Sequence, residues 1–265
     1  MDIRLYQGDC LDVMRSIPDG SVDMVLCDLP YGTTACKWDS VIPLEPLWEQ
    51  YNRLLKHQGS VVLFGSEPFS SSLRMSNLSA YKYDWIWKKN RPTGFQHAQN
   101  MPLKDYETIS VFSKASMGHD NLLKEKRMWY NPQGITHCGK EWKRTASKFG
   151  SIVGKRKSHK NFGIQEFTGF PTMVLEYDKD ETNYHPTQKP VALLSYLIKT
   201  YTMGGNSFGQ LHGERFNGSC VYRDRPQFHR HRKGRSILRR GAKAHSEQKG
   251  ARSTARTVLK LRQFA

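Results

Sequence analysis

Val22-Asp23-Met24-Val25-Leu26-Cys27 runs without a break into Asp28-Leu29-Pro30-Tyr31-Gly32. The first six residues are a short apolar run, the pattern of a buried strand. The next five hold a proline and a glycine and mark a turn at the strand's carboxyl end. In open α/β sheets ligands bind beyond the carboxyl ends of strands, so Asp28 to Tyr31 stand where a site would be. Asp28 can accept a hydrogen bond from an amino group. Leu29 precedes a proline, which holds its backbone extended and lets its carbonyl face a cleft. Tyr31 offers a flat face for a planar ring. Two acceptors drawing on the protons of an exocyclic amine would favour a pyramidal nitrogen and expose its lone pair to an electrophilic methyl. Taken alone, the tetrapeptide is better read as a strand-ending turn that uses Asp and Pro for geometry.

Working outward, Pro43 opens a helix carrying Leu44, Leu47, Trp48, Tyr51, Leu54 and Leu55 at three- and four-residue spacing, with Gly59 just past its end. Ser60-Val61-Val62-Leu63-Phe64 reads as a second buried strand, and Tyr83 to Lys88 and Thr108 to Phe112 as two more. Strand, helix and strand in this order predict an α/β fold with a mostly parallel sheet. Residues 115–182 break the pattern, being polar and rich in Lys, Gly, Asn and aromatics, and predict a loop-rich insert. Pro190 starts a last clear helix with Val191, Leu194, Leu197, Ile198 and Tyr201 on one face.

The chain has 265 residues and a formal charge of +17, long enough for one large or two modest domains. Residues 203–265 hold 15 of the 41 Lys and Arg but 3 of the 24 Asp and Glu. This last stretch shows neither strand alternation nor a helical apolar stripe, and reads as a basic tail without order. Charge of this sign points to nucleic acid as a partner. No apolar run of about 18 residues would cross a membrane, and Met1-Asp2-Ile3-Arg4 lacks a signal-peptide layout. The five cysteines are odd in number and without CxxC spacing, which argues against disulfides or structural zinc and for the cytoplasm. No clustered ligands suggest a metal.

Asp28-Leu29-Pro30-Tyr31-Gly32 resembles the catalytic DPPY motif of amino-directed DNA methyltransferases, N6-adenine or N4-cytosine, with Leu29 in place of the commoner first proline. Upstream, Gly8 to Met14 and Ile17 to Asp23 resemble the family's segment whose acid binds the adenine of S-adenosyl-L-methionine, a role that falls on Asp9, with Cys10 beside it. Downstream, Leu63 to Phe69, Trp85 to Asn90 and Pro102 to Glu107 match in order. The resemblance places Lys88, Lys89, Asn90 and Arg91 near the DNA backbone. His185-Pro186-Thr187-Gln188-Lys189-Pro190 resembles the segment that precedes a helix closing over the methionine end of the cofactor, so His185, Thr187, Gln188, Lys189 and Pro190 are its cofactor-side residues. The order of motifs is similar to the β arrangement of the family. The resemblance covers nearly all of residues 1–202. It implies a Rossmann-like S-adenosylmethionine-dependent methyltransferase sheet with a catalytic part in 1–114, a target-recognition insert in 115–182 and a cofactor-closing segment in 183–202. Its substrate would be double-stranded DNA with the target base rotated into the pocket. The Asp at the motif's first position favours adenine. Lys143, Arg144, Lys148, Lys155, Arg156 and Lys157, interleaved with aromatics, would contact DNA by phosphate pairing and stacking.

After the last helix the family's arrangement calls for a strand, a glycine-rich turn of the form D-x-x-x-G-S-G-x-T-G, and a later strand bearing an acid for the cofactor's ribose. The chain instead reads Gly209-Gln210-Leu211-His212-Gly213-Glu214-Arg215-Phe216-Asn217-Gly218. Back-translated with a suitable choice of synonymous codons and read one nucleotide later, that string spells D-N-S-M-G-S-G-S-T-G. The same shift allows T-V-L at Asn206 to Phe208 and R-N-F-I-G-I-E-K-D-E at Pro226 to Arg235. A reading frame that slipped near Met203 accounts for the missing motif and for a tail that encodes no core. It also predicts an incomplete sheet at the C-terminal end and an inactive or crippled enzyme. The competing reading is a non-catalytic DNA-binding protein that uses the insert and the basic tail. A weaker third is an RNA or protein-glutamine methyltransferase.

Overall fold

β2 (Val22–Asp28) and β3 (Leu55–Gly65) form the parallel centre of an eight-stranded sheet ordered β1-β10-β9-β2-β3-β5-β4-β8. The structure, a computed structural model, describes residues 2–6, 8–33, 39–118, 126–143, 162–180, 188–202, 207–211 and 219–224. Residues of β2 and β3 alternate between two cores, because successive side chains leave a strand on opposite faces. Val25, Cys27, Val61 and Leu63 pack on one face with α1 (Cys10–Arg15), α2 (Leu44–Leu54) and α3 (Phe69–Ser76). Met24, Val62 and Phe64 pack on the other with α4 (Val191–Tyr201). The continuous apolar runs in the sequence follow from this two-sided burial.

The sheet is mixed rather than mostly parallel. β4 (Tyr81–Thr93) and β5 (Lys104–Phe112) are joined by a short connection holding one 3₁₀ turn, Phe95–His97, and therefore pair antiparallel; β5 also runs antiparallel to β3. Within 115–182, β6 (Thr136–Lys143) and β7 (Phe162–Thr168) form an exposed two-stranded ribbon, whereas β8 (Val174–Glu176) adds to the main sheet beside β4. Lys143 is exposed on this ribbon; Arg144, Lys148, Lys155, Arg156 and Lys157 lie outside the described residues.

Two strands come from the stretch that shows no strand pattern. β9 (Ser207–Leu211) runs parallel to β2, and β10 (Ser219–Asp224) pairs antiparallel with both β9 and β1 (Asp2–Tyr6). The sheet between β2 and β1 is thus filled, not left open. These segments hold too few alternating apolar residues to announce themselves; what they satisfy is the open backbone edge of β2.

α4 meets the sheet with Leu193, Leu197, Thr200 and Tyr201, while Val191 is exposed. The apolar face is turned from the expected one, since Leu193 and not Val191 lies at its centre. The Tyr201 hydroxyl accepts from Trp85 Nε1 at 2.6 Å and pairs with the Tyr83 hydroxyl at 2.8 Å. Tyr201→Phe leaves the buried indole N–H without that acceptor, and a loss of about 2 kcal/mol in chemical denaturation is the expected result. A change below about 0.5 kcal/mol contradicts the assignment.

Candidate active site at the carboxyl end of strand β2

Asp28 is the last residue of β2, and Leu29 and Pro30 are buried directly after it. The chain then turns at Gly32, whose φ of +67° is left-handed and where a Cβ would lie 2.8 Å from Val41 Cγ2. The turn is held by Asp39, which sequence reasoning missed. Its carboxylate accepts from the Gly32 and Thr33 amides at 2.9 Å each. Asp39 is buried and seven residues along the chain from Gly32, with no periodic pattern to mark it.

The Tyr31 hydroxyl donates to Asp28 Oδ1 at 2.7 Å, and its ring stacks on Phe69 with centroids 5.2 Å apart. Burial, and then the negative charge of Asp28, push the Tyr31 phenol well above its ordinary range, so it stays a neutral donor. Oδ2 of Asp28 accepts from Lys189 Nζ at 2.7 Å. Lys189 arrives from the α4 side, two residues before that helix, and its ammonium lies 5.2 Å from the centre of the Phe64 ring. It also lies 3.2 Å from Glu107 Oε2, and Glu107 Oε1 accepts from Lys89 at 3.3 Å. Four charges therefore alternate across the ends of β2, β5 and β4: Asp28, Lys189, Glu107, Lys89. Burial works against the charged form of Lys189, but Asp28 and Glu107 outweigh it and raise its pKa. Burial likewise works against the Glu107 carboxylate, and the two ammonium groups outweigh it and lower its pKa.

Of the residues expected at the site, Asp28, Tyr31 and Lys189 come together in direct contact. Lys189 points at the Asp28 carboxylate, whereas the resemblance assigned it to the cofactor. Gln188 Nε2 donates to Asp180 Oδ2 at 3.2 Å, and Pro190 caps α4. His185 and Thr187 lie outside the described residues. Asp9 is exposed at the start of α1, where one carboxylate oxygen accepts from the Leu11 amide at 2.8 Å. β1 runs parallel to β9 and β2, so Asp9 lies at the same edge of the sheet as Asp28. The Cys10 side chain is in the core, because the first turn of α1 faces inward there.

Among the four residues expected near DNA, the pleat separates one from the rest. Lys88, Asn90 and Arg91 are exposed, and Lys88 pairs with Glu176 at 3.1 Å. The Lys89 side chain is 6% exposed and pairs with Glu107, so it is part of the interior charge cluster and not a phosphate contact. The role of Glu107 was also missed. Its residue type was visible in Lys104-Asp105-Tyr106-Glu107, but nothing in the sequence places it opposite Lys189.

Residues 22–207 match the family model described as DNA methylase, N6 and N4. The chain is 27% identical over 210 residues to the DNA adenine methyltransferase YhdJ of Escherichia coli K12, covering 73% of this chain and 65% of that one. It is 23% identical over 229 residues to the type II methyltransferase M.HinfI of Haemophilus influenzae, covering 73% of this chain and 54% of that one. The chain thus spans somewhat less than two thirds of one of these relatives and about half of the other. A crystal structure of the M1.HpyAVI–SAM complex is similar with a TM-score of 0.46 and 20% identity, over 80% of this chain and 84% of that one.

Proposed function

Because the chain belongs to the DNA methylase family of N6- and N4-directed methyltransferases, we propose that its site is built to methylate the exocyclic amine of a DNA base rotated out of the duplex, with adenine N6 favoured. The observation that carries this reading is the Asp28 carboxylate at the end of β2, with the Tyr31 ring beside it. Asp28 accepts one amine proton, the Leu29 carbonyl accepts the other, and Tyr31 holds the ring plane. Together they localise the lone pair on nitrogen and orient it. S-adenosyl-L-methionine would supply a sulfonium-bound methyl, so that the N–C bond forms as the C–S bond breaks and the amine afterwards gives up a proton to water. Asp9, exposed at the start of α1, suits a hydrogen bond to the adenine end of that cofactor. Exposed Lys88, Asn90 and Arg91 suit the DNA backbone. A digest of DNA incubated with the enzyme and labelled cofactor tests the reaction: label in N6-methyladenine supports the reading, label in N4-methylcytosine replaces adenine by cytosine, and label in RNA or protein alone overturns it.

We also propose that this chain is impaired, because the glycine-rich cofactor turn is lost to a shift of frame near Met203. What supports this is the connection after β9. Only residues 212–218 separate β9 from β10, and the two strands pair antiparallel. A turn followed by a crossover to a parallel strand takes a dozen or more residues, which the shifted reading provides. Sequencing the coding DNA tests it: Glu214 must be GAG and Asn217 must be AAC, because the Ser between the motif's glycines and its Thr in the shifted frame depend on them, and any other codon at either ends the idea. If it ends, the basic tail is a genuine extension, and the non-catalytic DNA-binding reading gains from the exposed aromatic residues of the β6–β7 ribbon, Trp142, Phe162 and Phe167.

A further inference from the structure

Among the described residues β6 and β7 pair only with each other, and both faces of the ribbon are exposed. A two-stranded ribbon alone is marginal in water, so its side chains serve something other than a core. The two faces differ. Directly opposed residues share a face, and the register sets His137 opposite Phe167, Lys140 opposite Gln165 and Trp142 opposite Gly163. The irregularity between His137 and Lys140 keeps these three rungs on one side, because β6 takes three steps there while β7 takes two. On that side the His137 and Phe167 rings meet edge to face with centroids 5.7 Å apart. A Cβ on Gly163 would stand 3.0 Å from Trp142 Cζ2, so the indole lies across the glycine. The middle rung, between these aromatic ones, carries the donors Lys140 and Gln165. Gln165 Nε2 gives one N–H to the Phe167 carbonyl at 3.0 Å, which orients the amide. No acid lies on this face. Glu141 and Glu166 fall on the other, where the alternate residues point.

We propose that the face bearing Lys140 and Gln165 reads base sequence: the ribbon lies in the major groove, where Lys140 reads a guanine and Gln165 an adenine at a neighbouring pair. A major groove of about 12 Å admits a two-stranded ribbon. The side turned to the DNA is the one without carboxylates, since like charges set against phosphate are costly. A lysine ammonium matches the O6 and N7 acceptors of guanine. An amide matches adenine with its second N–H to N7 and its oxygen to the N6 amine. The aromatic rungs stand two residues to either side, about 7 Å or roughly two base-pair steps away. The proposal rests on the reading of the chain as acting on duplex DNA, and not on the chemistry of Asp28.

The test is selection from a pool of random-sequence duplexes by the chain as it stands, which needs no methyl transfer. The wild-type chain is expected to enrich a motif with a guanine and an adenine at neighbouring positions, each preferred about tenfold over other bases. Lys140→Ala loses the guanine preference and Gln165→Ala the adenine preference. Gln165→Glu replaces the amide by an acceptor of the cytosine N4 amine, so its position changes from adenine to cytosine. A new preference also reports that the variant is folded. Glu141→Gln and Ile164→Ala, on the other face, keep the motif. A uniform loss of affinity across all duplexes in Lys140→Ala, with a salt slope smaller by about one, marks a phosphate contact and overturns its reading role. No motif in the wild-type chain, or one that no Lys140 or Gln165 variant alters, overturns the proposal. If the labelled-cofactor digest fails while these preferences hold, the methyl-transfer reading falls and this one stands.

Discussion

Asp28→Asn is expected to lower methyl transfer by about a thousandfold or more in a chain whose cofactor turn has been restored by correcting the frame. The carboxamide is nearly the same size, so the loss is chemical. An amide nitrogen facing the base would oppose a donor to a donor, and the lone pair on the amine would no longer be drawn out. The substitution also removes one of the two carboxylates that compensate Lys189, whose side chain is 9% exposed. A buried cation that loses a partner is destabilising by several kcal/mol, so cofactor binding should be followed alongside rate. Binding that is kept while turnover disappears identifies Asp28 as acting on the amine. Turnover within tenfold of the starting enzyme would remove Asp28 from the chemistry.

The second large effect concerns the cofactor itself. The chain as it stands should bind S-adenosyl-L-methionine no better than about 1 mM, and the frame-corrected chain at least about a hundredfold tighter. Two or three backbone amides at a helix start and a carboxylate on the ribose hydroxyls are each worth about 1 to 2 kcal/mol, and together a few hundredfold or more. Isothermal titration of both chains measures this directly. Submillimolar binding by the present chain would mean that β9, β10 and their connection serve the cofactor after all.

The central motif was legible because it rests on local rules. An apolar run, a proline and a glycine fix a strand and its turn, and Val22–Asp28 and Leu44–Leu54 lie where those rules put them. Direction of pairing was not legible, because it depends on what fills the connection: β4 to β5 crosses with no more than a 3₁₀ turn and so doubles back. The site was half legible. Asp28 and Tyr31 are three residues apart and declare themselves together. Lys189 and Glu107 reach them from 161 and 79 positions away, and no spacing rule spans such distances. Lys89 shows the cost of reading a run of charges as one surface: the pleat sends Lys88 and Asn90 outward and Lys89 inward. Asp39 carries no pattern at all, and only the closed loop shows what it holds.

The pairing of β1 has a consequence for how the molecule is made. β1 is an edge of the sheet, and its hydrogen-bonded neighbour is β10, formed by Ser219–Asp224. During synthesis β1 must therefore wait for a strand made much later in the chain. At a synthesis rate of about 5–20 residues per second, that wait is on the order of ten to forty seconds. Throughout it β1 is an unpaired strand tethered to a growing chain, while β2, β3, β4 and β5 can already assemble. A chaperone or a neighbouring nascent chain has its longest opportunity at residues 2–6, and the interval closes only when the tail arrives.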